Sequence, residues 1–495
     1  MDEPGRKQFI LLPLQGIRVP ALSAAAASSR FLRKLAVRPG PSRPISFSAA
    51  PGVELRLLDS VNQYGAKLVE VSPGALSALR AYQPSLRLVP LAFYHPAVTP
   101  RLRIESKVSL AKAAVKIRLR VVARKGGVPV AGALVVAFTD FQERIGAQGR
   151  TNAKGEVNLA LGASSVRLQR LYVYPERDFW PCLKRNLTVR DDTSIGLAAL
   201  SLSYVDCLRF FYGAASPKAG KGLKVGVVDT GVAEHPDLEI DGGENTVVGE
   251  DKAQYGDNGL GHGTHVAGII AAHGQPPAGV RGLAPAAALR SYRVFGQGSD
   301  SASNYAITKA IDRAVEDGCD LINLSLGGGP ADEAIEAAVQ YTRSHGSLVI
   351  AAAGNDGRQP VSFPASYSLS LAVSAMGRKG TFPAGTTQGG DVASPYGKDR
   401  KNFVAAFSNI GPELDLTAPG VGIISTWPGG YAALDGTSMA CPAAVGAAAA
   451  ILSAHAELLG LPRDSSRSEA LARAVLVRAR PLGFGSLYEG QGLAK

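Results

Sequence analysis

The chain has 495 residues, 46% of them hydrophobic and 19% charged, with a formal net charge of +12. That balance excludes a largely disordered chain, and the length accommodates about two to four domains of ~100–200 residues. No basic run is interleaved with aromatics and no apolar run reaches ~18–20 residues, so neither a nucleic-acid groove nor a membrane span is expected.

Charge is unevenly spread. Residues 1–200 hold 30 basic and 13 acidic residues, and the remainder holds 23 and 28. A basic front half and a mildly acidic rear half could attract each other, or form two solvated surfaces that never meet. The first segment, QFILLPLQGIRVPALSAAAASS, has an apolar core broken by Arg18 and two prolines, which argues against a secretory signal. Residues 18–50 are rich in Arg, Ser and Ala and nearly free of acid, so residues 1–50 are expected to be a flexible leader. The compartment stays open: inside the cell, or outside it by a route without a recognisable signal.

Residues 51–100 form the next unit. VELRLLDSV and GAKLVEVS read as strands, SPGALSALRAY as a helix begun by Ser72 and Pro73, and LRLVPLAFY as a strand. So short an α+β module buries little core and should lean on a partner. Residues 105–192 change character. VKIRLRVVAR, GALVVAFTD, GEVNLALG and VRLQRLYVY lie between turn signals such as KGG and NAKG, which predicts an all-β sandwich with a structural or binding role.

From about residue 200 to 495 strands and helices alternate. KVGVVD, ALRSYRVF, CDLINLSL, SLVIAAAG, SLAVSAM and LDLTAPG read as strands. HVAGIIAAH, SNYAITKAIDRAVEDG, ADEAIEAAVQYTRSHG and SMACPAAVGAAAAILSAHAEL read as helices. Apolar strands alternating with helices imply an α/β fold, a doubly wound, mostly parallel sheet covered on both faces. In such sheets functional residues gather beyond the carboxyl ends of strands. The Gly- and charge-rich stretch 377–402 is expected to be a surface loop. The cysteines Cys182, Cys207, Cys319 and Cys441 form no C-x-x-C pair and no metal spacing. Cys319 and Cys441 read as core thiols, and a Cys182–Cys207 disulfide is an open alternative to free thiols.

Three places meet the strand-end rule. KVGVVDTG ends a strand on Asp229, GLGHGTHVAG opens a helix at His262, and GTSMACP opens the last helix at Ser438. Taken singly, Asp229 could cap a turn, Ser438 a helix, and Asn355 of AAAGNDG could sit in an Asx-turn. Taken together, Asp-Thr-Gly, His-Gly-Thr-His and Gly-Thr-Ser-Met-Ala in this order, with AAAGNDG between, resemble the subtilisin-like serine peptidases over roughly residues 200–495. FPA at 363–365 and APGVGI at 418–423 fit the same pattern.

The resemblance implies a subtilisin-like catalytic domain and a serine endopeptidase of broad specificity working through an acyl-enzyme. Ser438 would be the nucleophile, His262 the base, Asp229 its orienting acid, and Asn355 a donor to the oxyanion. Of the two histidines in HGTH the family uses the first, and His265 would be structural, although spacing alone does not separate them. Residues Gly298–Ser303 and Ser325–Gly327 would flank an extended substrate, with Gly298, Ser299, Ser325, Leu326, Gly327, Gly354 and Asp356 at the binding cleft. Asp356 would steer a basic side chain into the primary pocket unless nearby Arg358 cancels it.

No cofactor is required on this reading. Asp237 in HPDL matches a common calcium ligand of the family, but the loop 273–282 lacks the asparagine that many relatives supply. Protein or peptide substrates are the implied partners, with no nucleic acid and no membrane. Residues 53–94 resemble the family's inhibitor-like propeptide, so the N-terminal region is expected to inhibit or chaperone the enzyme. The intervening sandwich leaves open whether, and where, that region is removed. Two other readings stay beside this one: a binding protein that kept the fold without turnover, and acyl transfer to amines.

Overall fold

The structure is a computed structural model describing residues 6–13, 35, 44–50, 53–62, 65–82, 86–104 and 115–495. No helix among the described residues is long and apolar enough to cross a membrane.

A five-stranded sheet opens the chain. Its strands are β1 (Lys7–Pro13), β2 (Ile45–Ala50), β3 (Val53–Ser60), β4 (Lys67–Val71) and β5 (Leu86–Pro90), in the order β2-β3-β4-β1-β5. The helix Pro73–Tyr82 buries Ala75 and Leu79 against one face. Part of the expected flexible leader therefore belongs to the fold. Lys7–Pro13 lies between β4 and β5, because KQFILLP alternates well enough to bury Phe9 and Leu11 on one side and Ile10 and Leu12 on the other. The rest of that leader lies outside the described residues, apart from residues 6, 35 and 44–50, the last of which supply β2.

The other face of this sheet is also apolar. Ile10, Leu12, Val61, Leu68 and Val89 pack with Tyr305 and Ala334, which stand on the helices Asn304–Glu316 and Glu333–Ser344. Lys309 pairs with Asp59, and Arg87 with Glu333 at 3.0 Å. The charges cross in both directions, so apolar burial rather than a basic-to-acidic attraction dominates this contact.

The stretch expected as one strand over LRLVPLAFY is two. Pro90 ends β5, and the chain leaves the sheet to form β6 (Phe93–Pro96), which pairs with different partners altogether. A proline supplies no N–H to continue the ladder.

Residues 116–197 form two facing sheets. One contains β7 (Lys116–Ala123), β10 (Glu156–Ala160) and β13 (Thr193–Leu197). The other contains β8 (Leu134–Asp140), β9 (Ile145–Arg150), β11 (Ser165–Tyr174) and β12 (Cys182–Arg190). Ile117, Leu119, Val135, Ala137, Leu171 and Val173 fill the space between them.

The remaining chain builds a parallel sheet. Its strands are β14 (Lys224–Asp229), β15 (Gly243–Asn245), β16 (Ala288–Arg293), β18 (Leu321–Leu324), β20 (Leu348–Ala352), β21 (Ser370–Arg378) and β24 (Leu414–Pro419). They pair in parallel, and β22 (Val392–Tyr396) and β23 (Asn402–Ala405) are added antiparallel at one edge. Two short strands, β17 (Ala302–Ser303) and β19 (Leu326–Gly327), stand outside this sheet and flank β6. A hairpin of β25 (Ile423–Trp427) and β26 (Gly430–Leu434) precedes the last long helix, Thr437–Leu452.

One expectation is corrected here, and one open alternative is closed. Residues 377–402 are not merely a surface loop, since they supply β22, and Gly385 O accepts Leu183 N–H at 2.9 Å. The Cys182–Cys207 disulfide is not formed, because both thiols are free, and they lie in separate cores.

The two facing sheets are anchored to the parallel-sheet region. Trp180, 2% exposed, packs with Ala272, Val280, Ile424 and Ala433, and Asp178 N–H donates to Tyr431 O at 2.7 Å. Trp180→Ala should cost about 3–5 kcal/mol, the usual loss for a buried aromatic. The check is the thermal midpoint of the variant beside that of the parent. An unchanged midpoint would show that the anchor contributes little.

Candidate active site

KVGVVD is buried along its length because both faces of the sheet are covered, and Asp229 closes it at the carboxyl end. The helix His262–Ala271 begins just beside it. The approach is close because Gly263 packs on Gly231 O and on the Asp229 side chain, where any larger residue would collide. His262 Nδ1 donates to Asp229 Oδ1 at 2.7 Å, and Thr230 N–H donates to the same oxygen at 2.7 Å. Asp229 is fully buried and His262 is 4% exposed. His262 Nε2 has no hydrogen-bond partner among the described residues.

His265 lies deeper. Its Nε2 meets two carbonyls, Ile423 O and Ala432 O, each at 3.1 Å, so that nitrogen must carry the proton. Burial holds its pKa down to about 3. A ring that donates to two carbonyls and stays neutral suits a structural tie between helix and hairpin.

Ser438 occupies the second position of the helix Thr437–Leu452, where backbone N–H groups lack intrahelical partners. Its N–H donates to Ala97 O at 2.9 Å, while its hydroxyl is turned toward Met439 Sδ at 3.5 Å. Pro442, four residues on, has no N–H to return to Ser438 O. The Ser325 hydroxyl takes that place, donating to Ser438 O at 3.1 Å, and Asn323 Nδ2 in turn donates to Ser325 Oγ at 2.9 Å. The cleft wall thus supports the turn that carries Ser438.

Asn355 follows β20. Its Oδ1 accepts from Thr437 N–H at 2.9 Å and from Thr437 Oγ1 at 3.0 Å, which orients the side chain and leaves its Nδ2 as a donor. The structure therefore brings Asp229 and His262 into one hydrogen bond. Asn355 bonds to Thr437, the residue before Ser438, and the link from His262 to the Ser438 hydroxyl is unmade in this state.

The cleft is filled by the chain itself. Strand β6 pairs antiparallel with β17, Ala302 opposite Tyr94, and with β19, Gly327 opposite His95 and Leu326 opposite Pro96. Ala97 N–H donates to Ser325 O at 2.9 Å, and Thr99 N–H donates to Asp435 O at 3.0 Å. Tyr94 is fully buried against Ala302 and Leu326, and its hydroxyl donates to Pro330 O at 2.7 Å. Gly436 lets Ala97 O come close, since a Cβ there would stand 2.7 Å from it.

Ser325, Leu326 and Gly327 all meet the segment Tyr94–Ala97. Gly298 and Ser299 do not pair with β6. They form the preceding turn, Gly298 N–H donating to Asn258 O and Ser299 N–H to Gly296 O; the Asp300 carbonyl then meets the His95 ring Nδ1 at 2.7 Å, and strand pairing starts at Ala302. Gly354 N–H donates to Thr437 Oγ1 at 3.2 Å, bracing the same turn as Asn355. Asp356 is engaged by Asn409, whose Nδ2 donates to Asp356 Oδ2 at 2.8 Å. The Arg358 guanidinium donates instead to Ala405 O, Val404 O and Ser394 O.

The carboxylate of Asp237, the residue that matches a calcium ligand of the family, is engaged within the fold. Asp237 Oδ2 already accepts from Val280 N–H at 2.8 Å and from the Tyr431 hydroxyl at 3.0 Å. No group of three or more His, Cys, Asp or Glu suited to a metal occurs among the described residues, whereas calcium takes about six to eight oxygens.

Residue patterning did not single out Ala97, Asn323 or Asp435. The first is an ordinary alanine in a loop, and the others act through a side chain turned inward and a backbone carbonyl. Pro442 carried the missing signal, since a proline inside a helix leaves one carbonyl in need of a donor.

An extended chain held between two strand edges, with one carbonyl on a serine N–H and a histidine–carboxylate pair close by in the fold, defines a protein that handles polypeptide in the manner of a serine peptidase. Comparison with known proteins gives the family. The Subtilase family model matches residues 220–492, more than half of the chain, and the chain belongs to that family. It is 42% identical over 233 residues to Subtilisin Savinase of Lederbergia lenta, a match spanning 47% of this chain and 77% of the relative. It is 39% identical over 245 residues to Subtilisin DY of Bacillus licheniformis, across 48% and 80%. An alkaline protease of Shouchella clausii is 42% identical over 233 residues, but the match spans only 54% of that longer protein. The protein is thus a subtilisin-like serine peptidase.

The His265 pKa has a consequence for stability. Its folded value lies below the unfolded value of about 6.5. Its contribution is therefore complete above about pH 6.5 and is lost as pH falls toward about 3. A His265→Gln protein should lose less stability than the parent across that window, measured by denaturant midpoint. Equal losses would place the titrating group elsewhere.

Proposed function

We propose that this peptidase hydrolyses internal peptide bonds through Ser438, His262 and Asp229, and that its own N-terminal region blocks and then presents itself to that site. The supporting observation is the Ala97 carbonyl on Ser438 N–H at 2.9 Å, on a strand paired along both cleft edges. On this reading Ala97–Val98 is the bond offered for cleavage.

The reaction starts when the Ser438 hydroxyl turns from Met439 toward His262 Nε2. Oγ attacks the Ala97 carbonyl carbon and its proton passes to Nε2. Asp229 holds the Nδ1 proton in place and stabilises the imidazolium that forms. Ser438 N–H and Asn355 Nδ2 receive the developing oxyanion, and the positive end of the helix Thr437–Leu452 adds to their effect. The Ala97–Val98 bond breaks, Val98 nitrogen takes the proton from His262, and an ester to Ser438 remains. Water, deprotonated by His262, hydrolyses that ester and restores the serine. A substrate in the same cleft would react in the same way.

Main-chain pairing supplies most of the contacts, so specificity is broad. Ala97 puts a small side chain at the primary position, and Tyr94 puts an aromatic one three residues earlier. Autoinhibition follows from occupancy, since the five-stranded sheet anchors β6 through Tyr305 and Ala334 and raises its local concentration at the cleft.

Two outcomes test this reading. Purified wild-type protein should show a new amino terminus at Val98 by sequencing and intact mass, and Ser438→Ala should remain uncut. A processed wild type beginning elsewhere would displace the proposed bond, and cleavage persisting in Ser438→Ala would remove the nucleophile. On a peptide substrate, Asn355→Ala should lower kcat by about 10²–10³ with little change in KM, and Asp229→Asn by about 10⁴. A variant within a factor of about three of the parent would free that residue of its assigned role.

A further inference from the structure

The chain does not stop being held once it passes Ser438. Beyond Thr99 it runs onto the outer face of the sheet β8-β9-β11-β12. Leu102 N–H donates to the Tyr174 hydroxyl at 3.4 Å, and Ile104 N–H donates to Gln148 Oε1 at 2.9 Å. The Leu102 and Ile104 side chains pack on Val136, Phe138 and Tyr172.

That face is unusual for its position. The side of a sandwich sheet turned away from its core is ordinarily polar. Here Val136 and Phe138 are fully buried and Tyr172 is 6% exposed. Phe138 and Phe141 meet edge to face at 5.2 Å, Tyr172 and Tyr174 stack at 5.9 Å, and Arg170 lies over Phe141 at 3.4 Å. Arg101 stands 5.7 Å from the Tyr174 ring centroid. The face therefore has an aromatic floor with basic residues around it, and an extended chain covers it.

Cleavage after Ala97 would leave this sheet attached, and with it residues 98–104 as a new amino-terminal segment that a substrate must displace from the face. The sheet is continuous with residues 116–495 and is anchored by Trp180 and by the Asp178–Tyr431 backbone contact. The groups that read the segment are acceptors for backbone N–H, which any extended polypeptide carries. An aromatic floor accepts any large apolar side chain at the two positions that Leu102 and Ile104 now occupy.

We propose that the two facing sheets form part of the mature enzyme's substrate groove, extending it on the leaving-group side. There they bind polypeptides with large apolar residues at the fifth and seventh positions after the cut bond. Leu102 and Ile104 are those positions when the count begins at Val98. The inference rests on the peptidase reading above, and on the bond assigned there.

The test compares three peptides on the self-processed full chain. One is FYHPAVTPRLRI, residues 93–104; the second ends at the proline, FYHPAVTP; the third is the long peptide with Leu102→Ser and Ile104→Ser. The long peptide should exceed the short one in kcat/KM by about tenfold, the scale expected for one well-buried apolar side chain. The doubly substituted peptide should fall back to the short one. In a Tyr174→Phe, Gln148→Ala enzyme the long-to-short ratio should drop toward one. Equal kcat/KM for long and short peptides on an enzyme labelled by a serine-directed phosphonate would overturn the extended groove and leave the peptidase reading standing. Failure of both cleavage and labelling would remove the peptidase reading and this inference with it.

Discussion

Two strand edges that face each other across a gap need a third strand, and much of this molecule is arranged around that need. Ala302–Ser303 and Leu326–Gly327 each expose backbone donors and acceptors into the cleft, and β6 satisfies both. Unpaired strand edges invite any extended chain. Here the occupant is tethered on both sides, by the five-stranded sheet before it and by the aromatic sheet face after it. The tether fixes register as well as occupancy, and register decides which carbonyl meets Ser438 N–H.

The neighbourhood of that N–H is held by compensation rather than by regular structure. Pro442 removes a helical bond at Ser438 O, and Ser325 restores it from the cleft wall. Asn355 and Gly354 both bond to Thr437, so the helix start is braced twice from the loop that follows β20. The buried Asp229–His262 pair is reached through glycine contacts that no larger residue would allow. Cleft wall, helix start and sheet end are therefore one connected unit. The same unit explains why Gly298 and Ser299 stand back from the occupant: their turn bonds to Asn258 and Gly296, and pairing begins only at Ala302.

Much of the site could be read from residue order. Asp229, His262 and Ser438 stand at element ends whose apolar patterning is unambiguous, and the parallel sheet follows from the alternation of strands and helices. The N-terminal strand was missed because Arg18 and the prolines dominate the composition around it, while KQFILLP is short enough to pass for part of a leader. The break at Pro90 was legible in principle. Proline ends a ladder wherever it must donate, but LRLVPLAFY is apolar enough on both sides to suggest continuity. The 377–402 stretch is loop-like in composition, and only its contact with β23 makes β22 a strand.

The local chemistry is thus written along the chain: which residues can take a proton, which can cap a helix, where a strand must end. Those properties depend on side-chain type and near neighbours. The filling of the cleft, the support of Ser438 by Ser325, and the path of residues 98–104 over the aromatic face depend on contacts between segments far apart in sequence. Such contacts have no periodicity to betray them, because backbone hydrogen bonds are indifferent to side-chain identity. Only the folded chain decides which extended segment occupies the gap and which of its carbonyls lies against the serine.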